Sequence, residues 1–190
     1  MEKVYYTFIE FDNESLDYST FSLCRKEYLD SISDKKRKTQ SFYAWKLLLY
    51  ALKNFSYRVN LDFYRVGDKF FLKDEQVKFS ITHSNRMVAV IVSQDNCGID
   101  AELVSDKILK IESKLIEDSQ EKMFNKLNPE EKKDVLTRLW TENEAIFKSG
   151  GVRKINFTEV FLNENSEKYI LAYTGKSLPI KVDISEIMEV

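Results

Sequence analysis

Asp100, Glu102 and Glu144 supply three carboxylates, Lys148 a cation and His83 the chain's single histidine. Their spacing says more than their types. Asp100 and Glu102 are two apart, so on a strand both side chains leave one face. Glu144 and Lys148 are four apart and share a face on a helix. Two carboxylates on a strand, a third on a helix and a lysine one turn further on suit a divalent cation held on a pyrophosphate. Magnesium prefers carboxylate and water oxygens and takes few protein ligands, so Asp100, Glu102 and Glu144 are the candidates. A phosphoryl group in transit carries negative charge, which needs metal and cationic side chains aimed at its oxygens. Lys148 is placed to meet that charge, and His83, between the hydroxyls of Thr82 and Ser84, can donate to a phosphate as they can. Each group also has a plainer explanation. Glu144 with Lys148 would be a solvated pair worth ~0.3 kcal/mol, Asp100 and Glu102 hairpin surface, and Trp140 core beside Leu136, Leu139 and Phe147.

The elements that must position these groups follow from periodicity and punctuation. Residues 4–11 alternate as a strand. Ser33 or Asp34 caps a helix that carries Phe42, Trp45, Leu48, Leu49 and Leu52 and ends near Phe55. Short strands are expected at residues 61–64, 70–72 and 77–82. Residues 87–92 and 97–104 read as a hairpin closed by Gln94-Asp95-Asn96, a platform for Asp100 and Glu102. An amphipathic helical stretch follows at 108–116. A second long helix is then capped by Asn128, with Pro129 in its first turn and Glu130 and Glu131 favouring its dipole, and Gly150-Gly151 stops it. Residues 157–161, 169–173 and 180–182 read as strands, and no repeat or low-complexity segment intervenes.

With 190 residues, 43% hydrophobic and 32% charged, the chain can bury a sizeable core as one large or two small domains. A net charge of -2 without a global basic field excludes bulk nucleic-acid binding. No apolar run approaches the ~20 residues that cross a bilayer, and no signal-peptide layout opens the chain, so a cytoplasmic address without a membrane partner is expected. Cys24 and Cys97 lack metal-ligand spacing and read as reduced thiols. The basic run Lys35-Lys36-Arg37-Lys38 falls in the first turns of a helix, the wrong end for the macrodipole, and is either a solvated face or an anion site.

Three segments follow one another in a telling order: Phe79-Ser80-Ile81-Thr82-His83-Ser84, then Gly98-Ile99-Asp100-Ala101-Glu102, then Trp140-Thr141-Glu142-Asn143-Glu144-Ala145-Ile146-Phe147-Lys148. Their order and spacing resemble the 4'-phosphopantetheinyl transferase superfamily, the two-half Sfp-type branch in particular, over residues 33–151. That family carries Phe-x-x-Ser-His-Ser, Gly-Ile-Asp-x-Glu and Trp-Thr/Ser-x-Lys-Glu-Ala-x-x-Lys segments. Here Thr82 stands for the first serine, Asn143 for the first lysine, and Gly67-Asp68-Lys69 where Gly-Lys-Pro is usual. The resemblance implies an α+β fold of two pseudo-symmetric halves, 1–104 and 105–190. Each half would be a helix packed on a small, mostly antiparallel sheet, with the active site at their interface.

The same resemblance implies Mg²⁺-dependent transfer of 4'-phosphopantetheine from coenzyme A to a serine of an apo acyl or peptidyl carrier protein, releasing adenosine 3',5'-bisphosphate. A monomer is expected to carry it out. Asp100, Glu102 and Glu144 would be the metal ligands. Glu144 would take the serine proton, directly or through water, with Glu102 as second choice for that role. Lys148 would stabilise the leaving group. Lys35, Lys38, Lys46, Lys69, Thr82 and His83 would surround coenzyme A, with Lys35, Lys38 and Lys46 on its 3'-phosphate. Two rival readings use the same residues: a relative that binds coenzyme A or the carrier without catalysis, and a metal-dependent phosphoesterase.

Overall fold

The computed structural model describes residues 1–11, 16–55, 61–67, 69–73, 76–163 and 167–190. Among them the chain is α+β, with six α-helices and three small, mostly antiparallel sheets. Strand β5 (Met87–Ser93) organises the first sheet. Its edges are taken by β4 (Lys78–Ser84) and β1 (Glu2–Phe8), both antiparallel to it, and the short β9 (Ile180–Lys181) adds to β1 in parallel. All seven β5 residues are buried, because both faces of the sheet are covered. Val88, Val90 and Val92 pack with Phe42, Trp45 and Leu48 of helix α2 (Lys35–Lys53), while Met87, Ala89 and Ile91 pack with the second sheet. Two-sided burial is why this strand reads as an unbroken apolar run rather than an alternation.

The second sheet has the order β6 (Ile99–Leu103), β8 (Lys168–Thr174), β7 (Ile155–Phe161). The hairpin expected from 87–92 and 97–104 does not form: β6 pairs with β8, not with β5. The reason is that β4 and β1 already occupy both edges of β5, so the chain must cross to another sheet after Gln94-Asp95-Asn96. Nor do the sheets divide at residue 104. β6 belongs with β7 and β8, while β9 and α6 (Ile184–Met188) return to β1 and α2. A third sheet is the two-stranded β2 (Phe63–Val66) and β3 (Lys69–Leu72).

Local signals set the long helices. The Asp34 side chain accepts the Arg37 N–H at 2.6 Å to cap α2, and its carboxylate also sets a negative charge beside the basic first turns. Helix α5 (Pro129–Lys148) starts in a capping box between Asn128 and Glu131 and stops where Gly150 (φ 73°) and Gly151 (φ 103°) take left-handed backbone. The amphipathic stretch at 108–116 becomes a 3₁₀ segment, Asp106–Ile111, followed by the one-turn α3 (Glu112–Leu115). Helices α1 (Leu23–Asp30) and α4 (Asp118–Phe124) complete the set. No helix among the described residues is long and apolar enough to cross a membrane.

The buried stripe of α5 is Leu136, Thr137, Thr141 and Ala145. It is not the apolar face expected from Leu136, Leu139, Trp140 and Phe147: Trp140 is only half-buried, and Phe147 is 68% exposed. Small side chains win because the helix lies against β6 and β8, where bulk would hold it off.

Candidate active site

Between β4 and β6 there is no backbone ladder, yet the two strands run side by side, joined by hydroxyls. Ser80, Thr82 and Ser84, every second residue of β4, accept the backbone N–H groups of Ile99 (3.3 Å), Ala101 (3.3 Å) and Leu103 (3.1 Å). Thr82 Oγ1 then donates to Asp100 Oδ1 at 2.9 Å, and Ser84 Oγ donates to Glu102 Oε2 at 2.6 Å. Two of the three seam hydroxyls therefore bind the strand and orient a carboxylate at once. The alternating Ser-x-Thr-x-Ser pattern is visible in the sequence; its purpose is not, because nothing local reveals which strand lies opposite.

Gly98 brings the helix in. A Cβ there would overlap the Ala145 carbonyl oxygen and lie 2.7 Å from the Ser149 amide nitrogen, so only glycine admits the last turn of α5. That approach carries Lys148 Nζ to 2.7 Å from Asp100 Oδ1 and 3.2 Å from the Ile99 carbonyl. Asp100 is 6% exposed, and its second oxygen, Oδ2, is buried without a partner among the described residues. Burial pushes the Asp100 carboxyl up, against the opposing pull of Lys148 and Thr82. The Glu102 carboxyl rises too, first from burial and then from the neighbouring Asp100 charge, with Ser84 opposing. His83 is pushed down by burial and by the Lys148 cation, which keeps its imidazole neutral near pH 7.

A cleft of about 840 Å³ opens on Asp100, Lys148 and His83, while Glu102 and Glu144 are not on its wall. Its wall includes Lys69, Thr82, His83, Asp100 and Lys148, with Arg25, Tyr28, Ser41 and Phe70. Lys69 Nζ stands 5.1 Å over the Phe147 ring, tying β3 to the end of α5. Arg25 is buried, and desolvation lowers its guanidinium to about 10.

Other expected residues fall elsewhere. Lys35 is exposed, Lys38 faces Asp30 (3.4 Å) and the Tyr18 ring, and Lys46 is buried with Nζ on the Val190 carbonyl oxygen at 2.6 Å. None of the three lines the cleft. Lys38 turns to Asp30 of α1 and Lys46 to Val190, while Ser41 and Ala44 of the same helix reach the cleft. Thr82 is at the cleft wall, but its hydroxyl proton is committed to Asp100. Glu144 is half-buried on the stripe of α5 that carries Thr137, Thr141 and Lys148. Asn143 is exposed. Asp68 lies outside the described residues.

The donor chemistry bears on a metal. Asp100 Oδ2, buried and without a hydrogen-bond partner, is the atom that fits a hard cation, and Glu102 adds a second carboxylate from the same face of β6. Among the described residues, however, no three His, Cys, Asp or Glu side chains group as a metal site, so Glu144 does not close the expected triad with Asp100 and Glu102. Lys148 and Thr82 both bond Oδ1, so Oδ2 is the oxygen left unpaired among the described residues. No protein-family model matches the chain, and no curated protein matches it.

Proposed function

We propose that the chain is a 4'-phosphopantetheinyl transferase. It would move the phosphopantetheine arm of coenzyme A onto a serine hydroxyl of an apo acyl or peptidyl carrier protein and release adenosine 3',5'-bisphosphate. The single observation that supports this most is Lys148 on Asp100 beside the orphaned Oδ2, at the wall of a cleft that also holds His83 and Lys69. In this reading the two sheets with α2 and α5 correspond to two pseudo-symmetric halves, and the active site lies between them.

Each residue has a task. The serine oxygen attacks the β-phosphorus, and the bond from that phosphorus to the oxygen bridging the α-phosphate breaks. Glu144 accepts the serine proton; Glu102, whose carboxyl burial raises, is the alternative. Lys148 meets the charge that develops on the departing bisphosphate, and neutral His83 donates one N–H to a phosphate oxygen. Asp100 and Glu102 would hold Mg²⁺, and the ion would supply charge neutralisation on the pyrophosphate. The hydroxyl seam keeps Asp100 and Glu102 aimed without any motion of their own.

Incubation with Mg²⁺, coenzyme A and a panel of apo carrier proteins tests the proposal. The expected result is the phosphopantetheine mass increment on a carrier, lost in Asp100→Ala and Glu144→Ala with the fold retained. Hydrolysis of a generic phosphoester without carrier modification would replace it with a phosphoesterase, and coenzyme A binding without either reaction would leave a binding protein.

A further inference from the structure

The cleft wall holds a cation that no motif marks. Arg25 is 4% exposed, and its guanidinium lies 4.5 Å from the Trp45 ring centre, 5.0 Å from Tyr28 and 5.1 Å from Phe70. Nη2 donates to the Ser41 carbonyl oxygen (2.5 Å) and to Ser41 Oγ (2.7 Å). Nε is buried with no acceptor, and no carboxylate pairs with Arg25 among the described residues.

A guanidinium carries five N–H donors in a planar fork and keeps its charge near neutral pH. Aromatic faces recover part of the cost of burying it, but they give its in-plane donors nothing to bond. A neutral serine brings no counter-charge. Arg25 is thus a buried, unpaired cation, which folding alone disfavours. It lies on the wall of the same cleft as Lys148 and His83, with Tyr28, Ser41 and Phe70 beside it.

We propose that Arg25 is an anion-binding residue of this cleft, held without a counter-ion until a ligand brings an oxyanion, a phosphate monoester or a carboxylate. With Nη2 committed to Ser41, the donors left for an anion are Nε–H and Nη1, and the flanking rings favour a ligand with a flat face next to its charge. That the anion is a phosphate of the nucleotide rests on the transferase reading; the anion site itself does not. Arg25 then does the work expected of Lys35, Lys38 and Lys46, which stand outside the cleft.

The native chain, Arg25→Met and Arg25→Lys are melted in inorganic phosphate and in chloride of equal ionic strength. Without phosphate, Arg25→Met is expected to melt at or above the native chain, since an apolar side chain replaces an unpaired buried charge. Phosphate near a hundredfold excess over its dissociation constant should raise the native melting temperature by about 5 °C or more, leave Arg25→Met unmoved and protect Arg25→Lys less. Calorimetry with adenosine 3',5'-bisphosphate and adenosine 5'-monophosphate then locates the group. Arg25→Met should weaken the bisphosphate by at least about tenfold, and the monophosphate much less. Phosphate protection that is absent, or equal in the native chain and Arg25→Met, overturns the proposal. So does an Arg25→Met that melts lower while nucleotide affinity is unchanged, the signature of a structural cation–π stack. Arg25-dependent phosphate protection without nucleotide binding upholds the anion site and refutes the transferase reading.

Discussion

Gly98→Ala reaches the site without altering any of its functional groups. The added methyl would overlap the Ala145 carbonyl oxygen and lie 2.7 Å from the Ser149 nitrogen and 3.0 Å from Ser149 Cβ, where ordinary contact begins at 3.4 Å. The first two obstacles are backbone atoms in the last turn of α5, so no side chain can rotate away. Strand and helix end must part by about 1 Å, which strains a close-packed interior and costs about 1–3 kcal/mol. At about 2–4 °C per kcal/mol for a chain of this size, the melting temperature should fall by roughly 2–12 °C. The same shift takes Lys148 Nζ from 2.7 Å to beyond hydrogen-bonding reach of Asp100 Oδ1. A misplacement of that size costs on the order of 10²-fold in a positioned reaction. Thermal melts read the first effect. Single-turnover transfer to an apo carrier protein, followed by mass, reads the second. A Gly98→Ala chain that melts and reacts like the native one would show that this contact does not set the helix end, and the placement of Lys148 would need another cause.

The hydroxyl seam separates structure from chemistry. Ser80→Ala and Thr82→Val each strand a buried N–H at a cost of about 1–3 kcal/mol, but only Thr82→Val frees Asp100, so transfer should fall at least about tenfold further in Thr82→Val than in Ser80→Ala. Equal rates in the two variants would reduce the seam to scaffolding. Because burial raises the Asp100 carboxyl in the folded state, its contribution to stability is fully present below the ordinary carboxyl range and is lost as pH rises through the raised value. Asp100→Asn should therefore gain stability relative to the native chain between pH 4 and pH 7 in metal-free denaturation, and a constant or narrowing gap would contradict the burial account. Lys148→Ala removes the cation over Asp100 and should lower kcat about 10²-fold while coenzyme A affinity changes less, as calorimetry beside single-turnover kinetics would show. A loss confined to affinity would make Lys148 a docking charge.

Helices α2 and α5 were legible because their determinants lie within a few residues of one another: Asp34 under Arg37, the Asn128–Glu131 box with Pro129, and the Gly150-Gly151 stop. The strand carrying Asp100 and Glu102, and the shared face of Glu144 and Lys148, were legible for the same reason, since period alone fixes them. Strand partners were not. A turn such as Gln94-Asp95-Asn96 looks the same whether it closes a hairpin or crosses between sheets, and only the prior claim of β4 and β1 on both edges of β5 decides it. The seam of Ser80, Thr82 and Ser84 is a meaningless alternation until β6 lies alongside it. Gly98 reads as an ordinary turn glycine before a strand until the Ala145 carbonyl oxygen is seen against it. Lys46 and Arg25 differ little on paper. One reaches the Val190 carbonyl oxygen while the other lies unpaired at the cleft, and burial against distant parts of the chain, which no local pattern encodes, makes that difference.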